Sequence, residues 1–366
     1  MNARQRVHRG LRAPFLPPER TGEARVYHAF LLRKAPWPWR RALSAGLSLF
    51  AVVALGALFH RPADGLLASI GAFTGIYATD LPLKQLAAKL AAVGLGLTAS
   101  FALGAATSAH LAAAAIALAL VGGIATYVAA ALSMAPPGPF FFVMAAAIAS
   151  GQPPGRGFAV SVAWVLAGAA VAWTLSVFLA MAWRGALPAQ ASRLRRITRK
   201  RLARTLKARL RLGDPAFMGA LRMAVGLFAS AMIAHALGSP RGYWTAVGCA
   251  ATLVGMTVVG TLQRAIQRAL GTALGVVLAS AVLSVHPAPL ELALLLFALQ
   301  TVAELLIPRN YGLAVIFITP LAMLIAETGQ ADLSAPAIAE ARLLNTLVGC
   351  GIGLALRLLW RVPFRT

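Results

Sequence analysis

Twelve apolar runs set the limits on what this chain can fold into. Six precede a strongly basic stretch, over residues 42–59, 65–79, 86–106, 111–132, 140–150 and 158–183, and six follow it, over 217–237, 243–260, 265–283, 290–306, 311–325 and 341–360. A helix needs about 20 residues to cross the hydrocarbon core of a bilayer. Most of the runs meet that length, and the second, fifth, eighth and eleventh fall short. Hydrophobic residues make up 59% of the 366 and charged residues 12%, where soluble domains carry about a quarter charged. The expected fold is an all-α membrane protein of about 12 transmembrane helices, arranged as two parallel six-helix halves joined by a basic cytoplasmic helix.

The junction is RLRRITRKRLARTLKARLR, in which ten basic residues from Arg193 to Arg211 stand with no acid among them. It divides the chain into a basic cytoplasmic tail (1–41), a first membrane half (42–184), a basic cytoplasmic hinge (185–216), a second membrane half (217–361) and a cytoplasmic C-terminus (362–366). The formal charge of +24 would suggest nucleic acid in a soluble chain. Here the cations gather in the tail and hinge, beside apolar spans, where they set topology and meet anionic lipid. Leu194, Ile197, Leu202, Leu206 and Leu210 give the hinge an apolar face. The helix is expected to lie along the inner leaflet with Arg195, Arg196, Arg199, Lys200 and Arg204 reaching lipid phosphates. No nucleic-acid partner is expected.

Orientation follows from the loops. With both termini and the hinge cytoplasmic, the inner loops hold Lys84, Lys89, Arg264, Arg268 and Arg309, and the outer loops only Arg61, Arg156 and Arg241 beside Asp64, Glu327, Asp332 and Glu340. That asymmetry satisfies the positive-inside rule. Six spans per half give both halves the same orientation, so a repeat would be parallel. At an offset of 178 residues Phe50 falls on Phe228 and Thr74 on Thr252, and both halves close on Trp-Arg (Trp183-Arg184, Trp360-Arg361).

The short runs are broken ones. Ala-Pro-Pro-Gly-Pro, with Pro136 and Pro137, bounds the fifth, and Thr319-Pro320 interrupts the eleventh. Interrupted segments at matching places in two halves point to a transporter's binding site, because irregular backbone at membrane depth survives only inside protein or against water. Ordinary kinked spans are the alternative.

Polar residues inside the runs are the functional candidates. Glu304 is read either as a proton-coupling carboxylate or as an interfacial acid paired with Arg309, and Asp80 as a loop acid paired with Lys84. Arg264 and Arg268, four residues apart at the start of the ninth run, put two cations at an inner mouth, just before a close-packing patch at Gly271 and Gly275. Guanidiniums there would gather an organic anion by bidentate contact. Tyr243, Trp244 and Tyr311 border broken segments and either anchor the interface or stack on an aromatic substrate. His235 and His286 have no evident partner. Cys249 and Cys350 lie in apolar runs without metal-ligand spacing. No phosphate-binding loop with Lys-Ser or Lys-Thr is present, and no metal or cofactor is expected.

The second half carries a resemblance. Tyr243-Trp244 followed by TAVGCAATLV, then QRAIQRALGTALG (263–275), AELLIPRNYGLAVIFITPLAML (303–324) and ARLLNTLVGCGIG (341–353) resemble the fusaric-acid-resistance-like (FUSC) family of aromatic-acid exporters. GLLASIGAFTGIYATD (65–80) and APPGPFFFVMAAAIAS (135–150) resemble that family's N-terminal membrane block more loosely. The resemblance implies outward transport of organic, often aromatic, acids across a bacterial inner membrane, driven by protons. It points to Tyr243, Trp244, Arg264, Arg268, Gly271, Thr272, Gly275, Asn310, Tyr311, Thr319, Pro320, Arg342 and Thr346. Asn345 stands where many relatives would carry an acid. The hinge is shorter than the soluble domain of the better-known exporters, which leaves a periplasmic adaptor an open question, as is a homo-oligomer.

Together these readings give an exporter in which Arg264 and Arg268 hold the anion, Tyr243, Trp244 and residues 140–142 receive its ring, and Glu304 couples the proton. A passive anion channel of similar architecture is the alternative, since plant malate-channel proteins are similar to this family. A membrane-embedded enzyme would need paired acids or a nucleophile with its base, and ten acids without such a pair in a span argue against one.

Overall fold

The computed structural model describes residues 29–134, 137–152, 157–183, 199–255, 257–285, 287–327 and 334–360. Thirteen α-helices run through them: α1 (Trp39–Leu58), α2 (Pro62–Ala72), α3 (Leu83–Thr107), α4 (Leu111–Ala131), α5 (Phe140–Ser150), α6 (Phe158–Ala182), α7 (Arg199–Arg209), α8 (Pro215–Ala236), α9 (Tyr243–Leu253), α10 (Val258–Val285), α11 (Pro289–Leu306), α12 (Tyr311–Glu327) and α13 (Ala335–Leu359). No strand occurs among the described residues. Eight helices are long and apolar enough to cross a membrane: α1, α3, α4, α6, α8, α10, α11 and α13. The others flanking α7 are α2, α5 and α9, of 11 residues each, and α12, of 17 residues with Pro320 inside it. At 1.5 Å per residue an 11-residue helix covers only about half of a 30 Å core.

Those short helices are buried rather than lipid-facing. All five residues of the 3₁₀ turn Phe73–Tyr77 that continues α2 are buried, and the Tyr77 hydroxyl donates to the Gly138 carbonyl ahead of α5 (2.8 Å). The irregular backbone is thereby surrounded by protein, the condition under which it is tolerated at membrane depth. In α9 every residue from Tyr243 to Thr252 is buried. Carbonyls at and just beyond its end are met by side chains of α10: Arg264 Nη1 donates to Ala251 O (3.4 Å) and Thr261 Oγ1 to Gly255 O (3.3 Å).

The packing pattern recurs on the two sides of α7. In the first six helices α2 lies on α6 and α3 on α5 and α6; in the last six, α9 lies on α13 and α10 on α12 and α13. The crossings share their chemistry. A Cβ on Gly168 would strike the Ala68 carbonyl and one on Gly71 the Val165 carbonyl, as a Cβ on Gly349 would strike Thr245 O and one on Gly248 would meet Thr346 O at 3.0 Å. Small residues in both helices let the backbones touch, which is how apolar helices associate where lipid removes the hydrophobic drive.

Contacts between the two sets are reciprocal as well. The fourth helix of the first set packs along the first of the second (α4 on α8), and the fourth of the second along the first of the first (α11 on α1). Gly122 leaves room there for Leu227, and Gly46 for Thr301 and Phe297. A third contact sets Gly151, after α5, against the ring of Tyr243.

Several expected edges move. α1 begins at Trp39, so Arg40 and Arg41, assigned to the tail, lie in its first turn. α9 stops at Leu253, and α10 starts at Val258, seven residues ahead of the expected edge at 265. Of the hinge, Arg195 and Arg196 lie outside the described residues. Arg199, Lys200 and Arg204 are in α7, and Arg204 is exposed. The Tyr127 hydroxyl at the end of α4 donates to the Leu206 carbonyl and ties α7 to the bundle. Pro136 and His286 also lie outside the described residues, while Pro137 sits in the turn before α5.

Candidate functional site

The near end of the bundle, where α1 begins, holds the charged interior. Glu304, in the last turn of α11, is the one buried carboxylate among the described residues, 1% exposed. Arg41 of α1 donates to its Oε2 through Nε (2.7 Å) and lies 2.6 Å away through Nη2, and Gln300 Nε2 approaches Oε1 at 3.3 Å. This pair crosses from one set of helices to the other. It replaces the expected partnership with Arg309, whose guanidinium instead lies 3.6 Å over the Trp37 ring and donates to the Ala35 carbonyl (2.9 Å). Asp80 likewise pairs with Arg40 (3.7 Å) rather than Lys84, and Lys89 donates to Thr79 Oγ1 (3.1 Å).

A strap of non-helical chain, residues 31–38, leads into α1 across the loop between α11 and α12. Asn310 Nδ2 donates to Ala29 O (3.1 Å) and Leu31 O (3.3 Å), Gln267 Nε2 to Ala29 O (2.7 Å), and Arg33 N to Arg309 O (2.9 Å). Ala29 is buried to 2% exposure by these contacts. Asn310 also accepts from Leu313 N (3.2 Å), capping the start of α12. Its amide is thus committed to the strap and the cap.

Beside the strap stand Arg264, Arg268 and Tyr311, and the structure does bring these three together. Arg264 stacks on the Tyr311 ring (4.6 Å to its centroid), and Arg268 Nη1 donates to the Tyr311 hydroxyl (3.2 Å). Phe140, at the start of α5 in the other set, faces the Arg268 guanidinium at 5.7 Å. Arg268 stands level with the start of α12, beside the strap that its neighbour Gln267 holds. It lies ten residues along α10, about 15 Å from the start, and is 1% exposed. No carboxylate among the described residues pairs with it. A buried cation costs several kcal/mol unless a counter-charge meets it.

Gly271 and Gly275, on the same side of α10, are close-packing residues as expected. A Cβ at Gly271 would press on Val315 (2.7 Å) and one at Gly275 on Thr319 (2.6 Å). Thr319 is fully buried in that crossing and spends its hydroxyl on Val315 O (2.9 Å). It joins α12 to α10.

Tyr243 and Trp244 form a separate cluster. Their rings lie 4.9 Å apart, and Arg342 of α13 covers the Trp244 ring at 3.4 Å. Asn345, one turn on from Arg342, accepts from Ser239 Oγ (2.8 Å) and Thr245 Oγ1 (2.7 Å) and donates to the Pro240 and Ala341 carbonyls (2.8 Å each). Each of its polar atoms is satisfied by a neutral partner, so it fastens α13 to the turn before α9. Between the clusters run the rings of Tyr77, Phe140, Phe141 and Phe142, with centroids 5.3 to 6.4 Å apart.

Sequence reasoning missed Arg41 altogether, because it counted that residue with the tail. An arginine directly before an apolar run, with only one acid in the runs facing the same end, was the available signal.

Comparison with known proteins bears on the second set of helices. Residues 228–356 match the model of the fusaric acid resistance protein-like family. Over 472 aligned positions, covering 92% of this chain and 75% of the relative, the chain is 28% identical to an uncharacterised membrane protein of Bacillus subtilis strain 168, YvaC. The alignment is longer than this chain, so the relative carries inserted positions with no counterpart here. No solved structure matches the chain.

Proposed function

We propose, from a membrane protein whose residues 228–356 match the fusaric acid resistance protein-like family, that this chain exports organic anions, aromatic carboxylic acids foremost, across a bacterial inner membrane. Arg268 carries the reading. It is a guanidinium sealed in the bundle, without a carboxylate among the described residues, where the two sets of helices meet through Phe140. A permanent cation in that setting favours an anionic guest. The line of Tyr77, Phe141 and Phe140 offers the guest's ring an apolar, aromatic surface.

In this reading Arg264 braces the site by stacking on Tyr311, and Glu304 with Arg41 couples proton movement to the opening of the near end. Both termini are cytoplasmic, and α7 rests on the inner leaflet. Breaking the Arg41–Glu304 pair, which joins α1 to α11, is the step that lets the halves rock apart.

The test is uptake of carboxylic acids into inverted vesicles, with and without a pH gradient. Accumulation that an uncoupler abolishes is expected, and R268A should lower it at least tenfold while the protein remains in the membrane. Undiminished uptake by R268A would refute the role given to that residue. Flux that follows voltage alone would replace the exporter with an anion channel.

A further inference from the structure

Four buried threonines in these helices share one habit. Thr98, Thr252, Thr319 and Thr346 each turn the hydroxyl back to the carbonyl one turn earlier, at 2.8 to 3.0 Å. Thr272 does not. It is fully buried on α10, and its Oγ1 has no hydrogen-bond partner. The residue one turn before it is Arg268, whose Nε is also buried and without a partner. Thr126 and Thr301 have orphan hydroxyls too, but the residues one turn before them are Gly122 and Phe297. Thr272 is the one that stands next to a cation.

Two unmet donors four residues apart on a helix lie on the same face, with Cβ atoms about 5–6 Å apart. Each costs about 1–3 kcal/mol if left unsatisfied away from water. A single planar group with two acceptor oxygens answers both. A carboxylate can take Arg268 Nε–H on one oxygen and the Thr272 hydroxyl on the other. The remaining Arg268 contacts hold the guanidinium still, since Nη1 is engaged by the Tyr311 hydroxyl and its plane is flanked by Phe140.

The surroundings also count charges. Arg264, one turn before Arg268, is occupied by the Tyr311 ring and the Ala251 carbonyl. Beyond Thr272 the buried residues of α10 are Gly275 and Ala279, which offer neither charge nor donor. The unspent donors on this face of α10 therefore serve one carboxylate, and a second would find none there among the buried residues of the helix.

We propose that Arg268 Nε and Thr272 Oγ1 form the head-group site for one carboxylate, so that the protein selects monocarboxylates carrying an apolar body over dicarboxylates. This rests on the reading of the chain as a carrier of organic anions, and adds to it a specificity residue, Thr272, and a charge limit.

The experiment is benzoate binding to the purified full-length protein in detergent, by calorimetry at a pH where benzoate is ionised, with terephthalate as competitor. Wild type should bind benzoate, and terephthalate should compete at least tenfold less well. T272V, which keeps the shape and loses the hydroxyl, should weaken benzoate about tenfold, and T272S should restore most of the affinity. Equal melting temperatures for the three proteins separate lost recognition from lost packing. Benzoate affinity unchanged in T272V, or terephthalate competing as well as benzoate, would overturn the head-group site while leaving transport through Arg268 standing. No benzoate binding to wild type, together with no carboxylate uptake in vesicles, would remove both. The competition arm needs no variant, so a T272V protein that fails to fold still leaves the proposal refutable.

Discussion

Replacing Arg41 with Met removes the guanidinium that meets Glu304 and leaves the carboxylate, 1% exposed, with the Gln300 amide as its hydrogen-bond partner among the described residues. Removing one partner of a buried ion pair costs about 3–5 kcal/mol, and 3 kcal/mol is a factor of about 100 in the folded-to-unfolded ratio. The reverse substitution, E304Q, is milder. The Arg41 side chain is 18% exposed and sits in the first turn of α1, so once released it can swing toward water, and the loss is a charge-assisted hydrogen bond of about 1.5–3 kcal/mol. Combining R41M with E304Q removes both charges, so the double variant should be no less stable than R41M alone. That leaves a coupling of at least about 1.5–3 kcal/mol, in the upper part of the range for residues in contact. Denaturation of the four detergent-solubilised proteins, followed by tryptophan fluorescence, measures the cycle. Single variants that cost the same, or effects that add within about 0.5 kcal/mol, would show that no buried pair joins α1 to α11.

Two glycines of α13 should respond to alanine in opposite ways. A Cβ at Gly349 collides with the Thr245 carbonyl, whereas one at Gly351 meets nothing within 4 Å. G349A should therefore lose about 1–3 kcal/mol to overpacking, and G351A should gain up to about 1 kcal/mol of helix propensity; melting temperatures that move in the same direction would contradict the α9–α13 contact. The strap makes a labelling prediction. A cysteine at Ala29, 2% exposed, should react slowly with a water-soluble maleimide, and N310A or Q267A should speed it. If it labels as fast as a cysteine at the exposed Lys34, the strap is not seated.

How much of this was legible in the sequence depends on the range of the interaction concerned. The apolar runs fixed the helices, because a run's length and its Pro and Gly boundaries are local properties. The four runs too short to span are the four short or proline-broken helices α2, α5, α9 and α12. Gly271 and Gly275 were legible for the same reason, since small residues at helical spacing mark a face that admits another backbone. The site was legible only in part. Arg264, Arg268 and Tyr311 converge, but α10 starts at Val258, in a stretch whose polar residues hid the helix, and the partners of these side chains come from α12 and α5. Asn310 and Thr319 were drawn into the candidate pathway by the family resemblance. Their partners, the Ala29 and Leu31 carbonyls and the α10–α12 crossing, lie too far along the chain to be inferred from spacing.

By itself, then, the sequence determined that this is an all-helical membrane protein, where its helices fall, and which of them are interrupted. Hydrophobic length and backbone satisfaction are dictated segment by segment, and in lipid they admit few alternatives. Only the tertiary structure decided which charges meet. Arg41 finds Glu304 across 263 residues, Arg268 finds Tyr311 and Phe140, and Thr272 is left facing Arg268 with its hydroxyl unspent. Side-chain electrostatics act over a few ångströms of space, and which residues share those ångströms is set by how the two sets of helices pack on one another.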